Sequence, residues 1–232
     1  IQHRGDSRPS LLPQLLGRLS RLEVNEPSDG TPVRPDHIYV IPVHTELSIV
    51  DGRFRVRERA SPGASPGGEG RHFPGDVFLR SIARALGSRA AAVILSGTGT
   101  DGTLGAKAVK EAGGLVVAQE PETAKYPGMP TSAISTGIVD RIFAPEAMPE
   151  KLAAYLDHPF VSGVDAAAGI AGDVQREETV LSRILRYLRD RSGHDFSRYK
   201  KTTTVRRIKR RMGVLGLSDA SEYLKHLRTR EE

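Results

Sequence analysis

The sequence predicts an α/β fold, with a doubly wound, mostly parallel sheet, followed by a small all-α domain. Three observations carry this. Two short, continuous apolar runs, Ala90–Leu95 and Leu115–Ala118, flank a helical stretch at about 103–112, the pattern of a strand-helix-strand unit whose strands are buried on both faces. Beyond position 175 the apolar residues recur only at helical spacing. Charge divides at the same place. Residues 175–232 carry sixteen Lys/Arg and eight Asp/Glu, so a chain of net charge +6 has a strongly basic tail and a slightly acidic body.

Taken in order, His37–Ile41 and Glu46–Glu58 are β-branched or aromatic and partly alternating, with Asp51-Gly52 where a two-residue hairpin turn belongs. Residues 60–70 are rich in Pro, Gly and Ser and predict a loop. Val77, Phe78, Ile82, Ala85 and Leu86 then place a helix at about 75–87. The helix after the first apolar run ends at Gly113-Gly114, and the second run follows directly. A helix at about 145–156 closes a first domain, 1–157. Residues 158–175 read as a linker, with Gly and Ala frequent over Phe160–Asp173. The second domain, 176–232, holds three amphipathic helices. Val180, Leu181, Ile184, Leu185 and Leu188 mark the first, closed by Gly193; Val205, Ile208, Met212 and Leu215 mark the next, closed by Gly216. The third starts with Ser218 as N-cap and buries Tyr223, Leu224 and Leu227.

Composition excludes several classes of protein. There are no cysteines, hence no disulfide and no thiolate metal site, and no apolar run approaches the roughly 18 residues of a membrane span. His37, His44 and His72 show no metal-ligand spacing, so no metal is expected. A cytoplasmic protein without membrane insertion is the expectation. The chain opens on Ile1-Gln2-His3, with neither an initiator Met nor a leader pattern, and is expected to be a fragment.

The chemistry concentrates in the loop after Ala90–Leu95. Gly97-Thr98-Gly99-Thr100-Asp101-Gly102, with Glu120 after the next strand, fits the spacing of a dinucleotide-binding fingerprint. A carboxylate at Asp101 would, however, repel a pyrophosphate drawn to the helix N-terminus. A plainer role for Asp101 is N-cap of the helix that follows. A third is to orient a His at the carboxyl end of a neighbouring strand, and His3 stands just after what reads as a strand tail.

Ser96-Gly-Thr-Gly-Thr-Asp-Gly-Thr-Leu-Gly105, Glu111-Ala-Gly-Gly114, Ala118-Gln-Glu120 and Gly128-Met-Pro130 with Ala133 fall in the order and spacing of CheB-type protein-glutamate methylesterases. Gln2-His3 and Asp36-His-Ile-Tyr-Val-Ile-Pro42 are similar to the same family, and the resemblance covers about 1–155. It implies hydrolysis of glutamate γ-methyl esters, and deamidation of certain glutamines, on the cytoplasmic helical region of methyl-accepting chemoreceptors. A Ser-His-Asp triad would do this without a cofactor. His3 would be the general base and Asp101 its orienting carboxylate, with backbone N–H groups near Thr98 and Gly99 holding the oxyanion. Family members commonly carry Met at the Thr98 position. Met129, on what reads as a loop around Gly128-Met-Pro130, would help to shape the mouth of the site or make an ordinary loop-core contact. The nucleophile is expected upstream of Ile1, because Ser7, Ser10 and Ser96 lack its Gly-rich strand-to-helix context, and the chain as given is expected to be inactive or nearly so.

Arg206-Arg-Ile-Lys-Arg-Arg211 lies on a helix whose Val205, Ile208 and Met212 turn inward, leaving the basic residues on the exposed arc. From charge alone this is either a solvated face or a contact for an acidic surface or nucleic acid. Gly193-His-Asp-Phe-Ser-Arg-Tyr-Lys200, Thr204–Met212 and Glu222-Tyr-Leu224 resemble the N-terminal helical domain of CheR-type methyltransferases over about 176–232. That resemblance implies receptor docking by Arg206, Arg207, Arg210 and Arg211, with no nucleic acid as partner. S-adenosylmethionine would belong only to a following domain, since the chain stops at Glu231-Glu232. A fusion of opposing esterase and transferase activities is the leading expectation. A scaffold with a vestigial esterase fold competes with it, and a nucleic-acid binder is the third alternative.

Overall fold

The computed structural model describes residues 11–58, 73–158, 171–196, 199 and 201–229. His3, the loop at 60–70 and much of the expected linker lie outside them. The chain divides into two compact units, 1–144 and 145–232.

In the first unit, α1 (Leu12–Leu19) carries Pro13 in its first turn, where a missing N–H costs nothing. It leads to β1 (Glu23–Asn25), which pairs in parallel with β2 (His37–Tyr39). β3 (Thr45–Val50) and β4 (Arg53–Glu58) form the expected hairpin. Its turn residues Asp51 and Gly52 have φ of 50° and 71°, the pair of positive values that a type I′ turn demands. Alternation sends Leu47, Ile49 and Phe54 inward, with Val56 half-buried beside them, and Arg53, Arg55 and Arg57 outward. The apolar face packs on Phe78 and Ile82 of α2 (Pro74–Leu86). Ser81 pins the contact, its Oγ accepting from the Ile49 amide at 3.0 Å and donating to the Phe78 carbonyl at 2.7 Å.

The strand-helix-strand unit is present as β5 (Ala91–Ile94), α3 (Thr103–Glu111) and β6 (Leu115–Gln119). β7 (Arg141–Phe143) extends a parallel sheet of order β5-β6-β7. Its core is rich in small side chains, among them Ala83, Ala90, Ala92, Ala106, Val109, Val116 and Ala133 beside the larger Ile94, which let the helices approach the sheet closely. Two expectations need correction. β6 is buried along its whole length, but β5 alternates, with Ala92 and Ile94 turned into the core and Ala91 and Val93 exposed on the other face. The stretch around Gly128-Met-Pro130, read as a loop, opens α4 (Gly128–Ser135). Pro130 is tolerated there because first-turn N–H groups have no intrahelical acceptor.

The second unit contains α5 (Met148–Leu156), α6 (Ala171–Ser192), α7 (Lys201–Leu215) and α8 (Ala220–Thr229). Val180, Leu181, Ile184, Ile208, Met212, Tyr223 and Leu224 form its core, in agreement with the helical periodicity. Gly193 and Gly216 close α6 and α7 with φ of 68° and 71°. α6 starts at Ala171, within the Gly- and Ala-rich stretch. The N-cap of α8 is Asp219, one residue beyond the Ser218 expected: its Oδ1 accepts from the Ser221 and Glu222 amides at 2.6 and 3.2 Å. A carboxylate outcompetes a hydroxyl for two N–H groups at a positive helix end.

Candidate active site

Among the described residues Asp101 is the best-buried acidic residue of the first unit, at 3% exposure, and both of its carboxylate oxygens accept backbone N–H groups. Oδ2 accepts from the Gly75 amide at 2.9 Å; Oδ1 accepts from the Asp76 amide at 3.0 Å and from Gly102 at 2.8 Å. Gly75 and Asp76 belong to the first turn of α2, whose own N-cap, Phe73, provides no side-chain acceptor. Asp101 therefore caps a helix 25 residues earlier in the chain rather than the one that follows it. Three N–H donors, two of them at the positive end of α2, fix where the carboxylate points. The fit leaves no spare room: a Cβ on Gly75 would stand 2.8 Å from Oδ2.

The N-terminus of α3 is served in turn from α2. Its N-cap, Gly102, lacks a side chain, and the buried Asp76 accepts the Gly105 amide on Oδ1 at 2.7 Å. Burial pushes the Asp76 carboxyl above its ordinary value, and the neighbouring Asp101 pushes the same way, against the pull of the Gly105 amide. A pyrophosphate would need the N–H groups that Asp76 already occupies, so the dinucleotide alternative has no physical basis here.

Between β5 and Asp101 the loop is clasped to the segment before α4. The Gly97 amide donates to the Tyr126 carbonyl at 2.8 Å, the Met129 amide donates to the Gly97 carbonyl at 2.9 Å, and the Tyr126 amide donates to Ser96 Oγ at 3.0 Å. Buried Gln119, at the end of β6, accepts the Ser96 amide at 2.8 Å and donates to Thr123 Oγ1 at 3.1 Å. Thr98 and Gly99 are exposed, and among the described residues neither N–H has a backbone acceptor. Gly99 has φ of 82°, open to glycine at little cost. Met129 is half-buried on the core and faces Gly97, where a Cβ would collide with its Sδ. Gly75, Asp76 and Tyr126 carry no motif of their own, and Gln119 entered only as part of Ala118-Gln-Glu120, with no role assigned. The one local signal was Pro74-Gly75-Asp76, a Pro and an acid at a helix start.

Of the basic residues on α7, Arg207 is exposed, whereas Arg210 and Arg211 are half-buried; the Arg206 side chain lies outside the described residues. The Arg210 guanidinium sits 5.9 Å from the centre of the Tyr155 ring. Among the described residues no cluster of His, Asp or Glu could hold a metal ion, and no helix is long and apolar enough to cross a membrane.

A family model for CheB methylesterase matches residues 1–152, and one for the CheR methyltransferase all-alpha domain matches 179–232. The chain belongs to the CheB methylesterase family. Its catalytic-domain fold is similar to the crystal structure of the Thermotoga maritima CheB methylesterase catalytic domain, with a TM-score of 0.51 and 34% identity over 62% of this chain and 77% of that one. A protein-glutamate methylesterase/protein-glutamine glutaminase from Anaeromyxobacter dehalogenans is 39% identical over 65% of this chain and 44% of its own length. An uncharacterized 104.1 kDa protein of Rhodobacter capsulatus is 35% identical over 92% of this chain, yet that match spans only 23% of its length. The chain thus spans under half the length of these two relatives. A CheB domain followed by the CheR all-alpha domain, as in a fusion of the two families, is the organisation present.

Proposed function

We propose that this chain supplies two triad members and the oxyanion loop of a protein-glutamate methylesterase acting on cytoplasmic chemoreceptor helices, joined to a receptor-docking helical domain. The observation that carries it is the Asp101 carboxylate, buried and held by three backbone donors beside a loop with two adjacent N–H groups open to an acceptor. We place the domain borders at 1–157 and 176–232, with 158–175 between them.

In this account a serine attacks the ester carbonyl carbon while His3 takes its proton, and the developing oxyanion accepts from the Thr98 and Gly99 N–H groups. Collapse expels methoxide, which leaves as methanol with the proton from His3. Water, deprotonated by His3, then attacks the acyl-serine to release the glutamate carboxylate and the serine. Asp101 holds the imidazole in the required tautomer. Met129 buttresses the wall of the site at Gly97. The serines near the loop are poor nucleophiles: Ser96 Oγ is bonded to Tyr126, and Ser132 Oγ pairs with Thr103 Oγ1 at 3.0 Å. We therefore assign the nucleophile to sequence outside these 232 residues and expect the chain by itself to be inactive.

Arg207, with Arg206, Arg210 and Arg211, would meet the acidic methylation region of the receptor and chiefly raise the encounter rate. S-adenosylmethionine, used by the methyltransferase family, receives no site here.

The test is methanol release from methylated chemoreceptor by this chain and by an upstream-extended version. Release by the extended chain alone, abolished by His3→Ala, is expected. Release by the 232-residue chain would refute the assignment of the serine, and no release by either would favour a scaffold.

A further inference from the structure

Beyond the triad itself, the helix ends that hold Asp101 are built reciprocally. Asp101 precedes α3 and caps α2; Asp76, in the first turn of α2, caps α3. Neither helix has a side-chain cap from its own N-cap residue. The two helices also touch backbone to backbone at this point, because a Cβ on Gly105 would stand 2.9 Å from the Asp76 Cα and 2.6 Å from the Leu79 Cβ. A shift of the α3 N-terminus therefore carries Asp101, one residue before the Gly102 cap, with it. The same shift would break the geometry at Gly75, whose amide bonds the carboxylate and where even a Cβ would stand 2.8 Å from Oδ2.

We propose that Asp76 is a positioning residue for the esterase reaction, fixing the orientation of the Asp101 carboxylate by bonding the Gly105 amide and locking the two helix ends together. This rests on the reading of Asp101 as the orienting carboxylate. Nothing in the local sequence requires a buried acid at position 76. Its burial beside a second carboxylate raises its pKa, a cost that a purely structural cap at an exposed helix end avoids. The other charged group acting on Asp76 is Arg80, one turn further along α2, which partly offsets the repulsion from Asp101.

The experiment compares Asp76→Ala and Asp76→Asn with Ser81→Ala, a control on the same helix that breaks the bond to Ile49. In the 232-residue chain, the Asp101 carboxyl carbon signal and the exchange protection of the Gly75 and Gly102 amides are followed by NMR. In the upstream-extended chain, methanol release gives kcat and KM. For Asp76→Ala we expect a shifted Asp101 signal, about tenfold or greater loss of amide protection, and kcat lower by about 10²-fold at unchanged KM, the scale of a small misplacement of a catalytic group. Asp76→Asn retains an acceptor for Gly105 and should restore kcat to within severalfold, while Ser81→Ala leaves the Asp101 signal in place. An unchanged Asp101 signal in Asp76→Ala, or an equal change in Ser81→Ala, overturns the proposal. If the Ala variant does not fold, a folded Asn variant with a displaced Asp101 signal overturns it instead. Absence of methanol release before any substitution would count against the esterase reading alone, since the NMR arm still decides the role of Asp76.

Discussion

The loop around Asp101 and the basic helix α7 are built on opposite principles. In the first, the groups that matter are positioned by backbone amides and by glycines at van der Waals limits: Gly75 under the carboxylate, Gly97 under Met129, Gly105 under Leu79. In the second, an apolar stripe of Val205, Ile208 and Met212 holds the helix, and the arginines are carried on long side chains at and beyond its margin. A single methyl group can ruin the first arrangement, whereas the second tolerates changes that conserve charge. Chemistry that needs an oriented carboxylate is placed where the backbone sets geometry. Electrostatic attraction needs only sign and exposure.

The contrast can be broken most sharply at Asp101. Asp101→Asn turns an NH₂ toward at least one of three backbone donors, and the wrong imidazole tautomer should lower kcat of the upstream-extended esterase by about 10⁴-fold. Methanol release measures it. In the helical unit the largest effect should come from Ile184, which is fully buried. Ile184→Ala should cost about 2–5 kcal/mol in urea unfolding of that unit and leave the Asp101 loop unaffected. Gly75→Ala should lower esterase kcat by about 10²-fold with little change in KM, by displacing the carboxylate. Changes at the exposed Arg207 should be smallest. Arg207→Glu should slow association with an acidic receptor fragment severalfold at low salt, and the difference should vanish at high salt in stopped-flow measurements.

Asp76 adds a pH dependence to the first region. A carboxyl whose folded pKa is raised binds its proton more tightly in the folded state, so its contribution to stability is greatest at low pH. That contribution falls as pH rises from the ordinary aspartate value, 3.8, through the raised one. Asp76→Asn should remove this decline, so stability profiles of the two chains should converge at acid pH and diverge above it.

Much of the fold was legible because it is locally encoded. The Asp51-Gly52 turn, the strand-helix-strand unit and the helical stripes each rest on neighbours in sequence. What escaped depends on partners far along the chain. Asp101 looks like a cap for the helix after it, and only the fold brings it to Gly75 and Asp76. β7 is three residues long, too short for any period, and α4 was hidden by Gly128 and Pro130, which signal a turn unless the first helical turn tolerates them. At the site, Asp101 was singled out by the loop motif and Thr98 and Gly99 by the family resemblance, whereas Asp76 acts through a contact that no spacing encodes.

The central claim, that Asp101 is held in order to orient a histidine, is tested most directly by proton NMR of the imidazoles in the 232-residue chain. A low-field ring N–H signal that disappears in both His3→Gln and Asp101→Asn is the result this account predicts. A His3 ring that titrates identically with and without the Asp101 carboxylate, and shows no such signal, would contradict it.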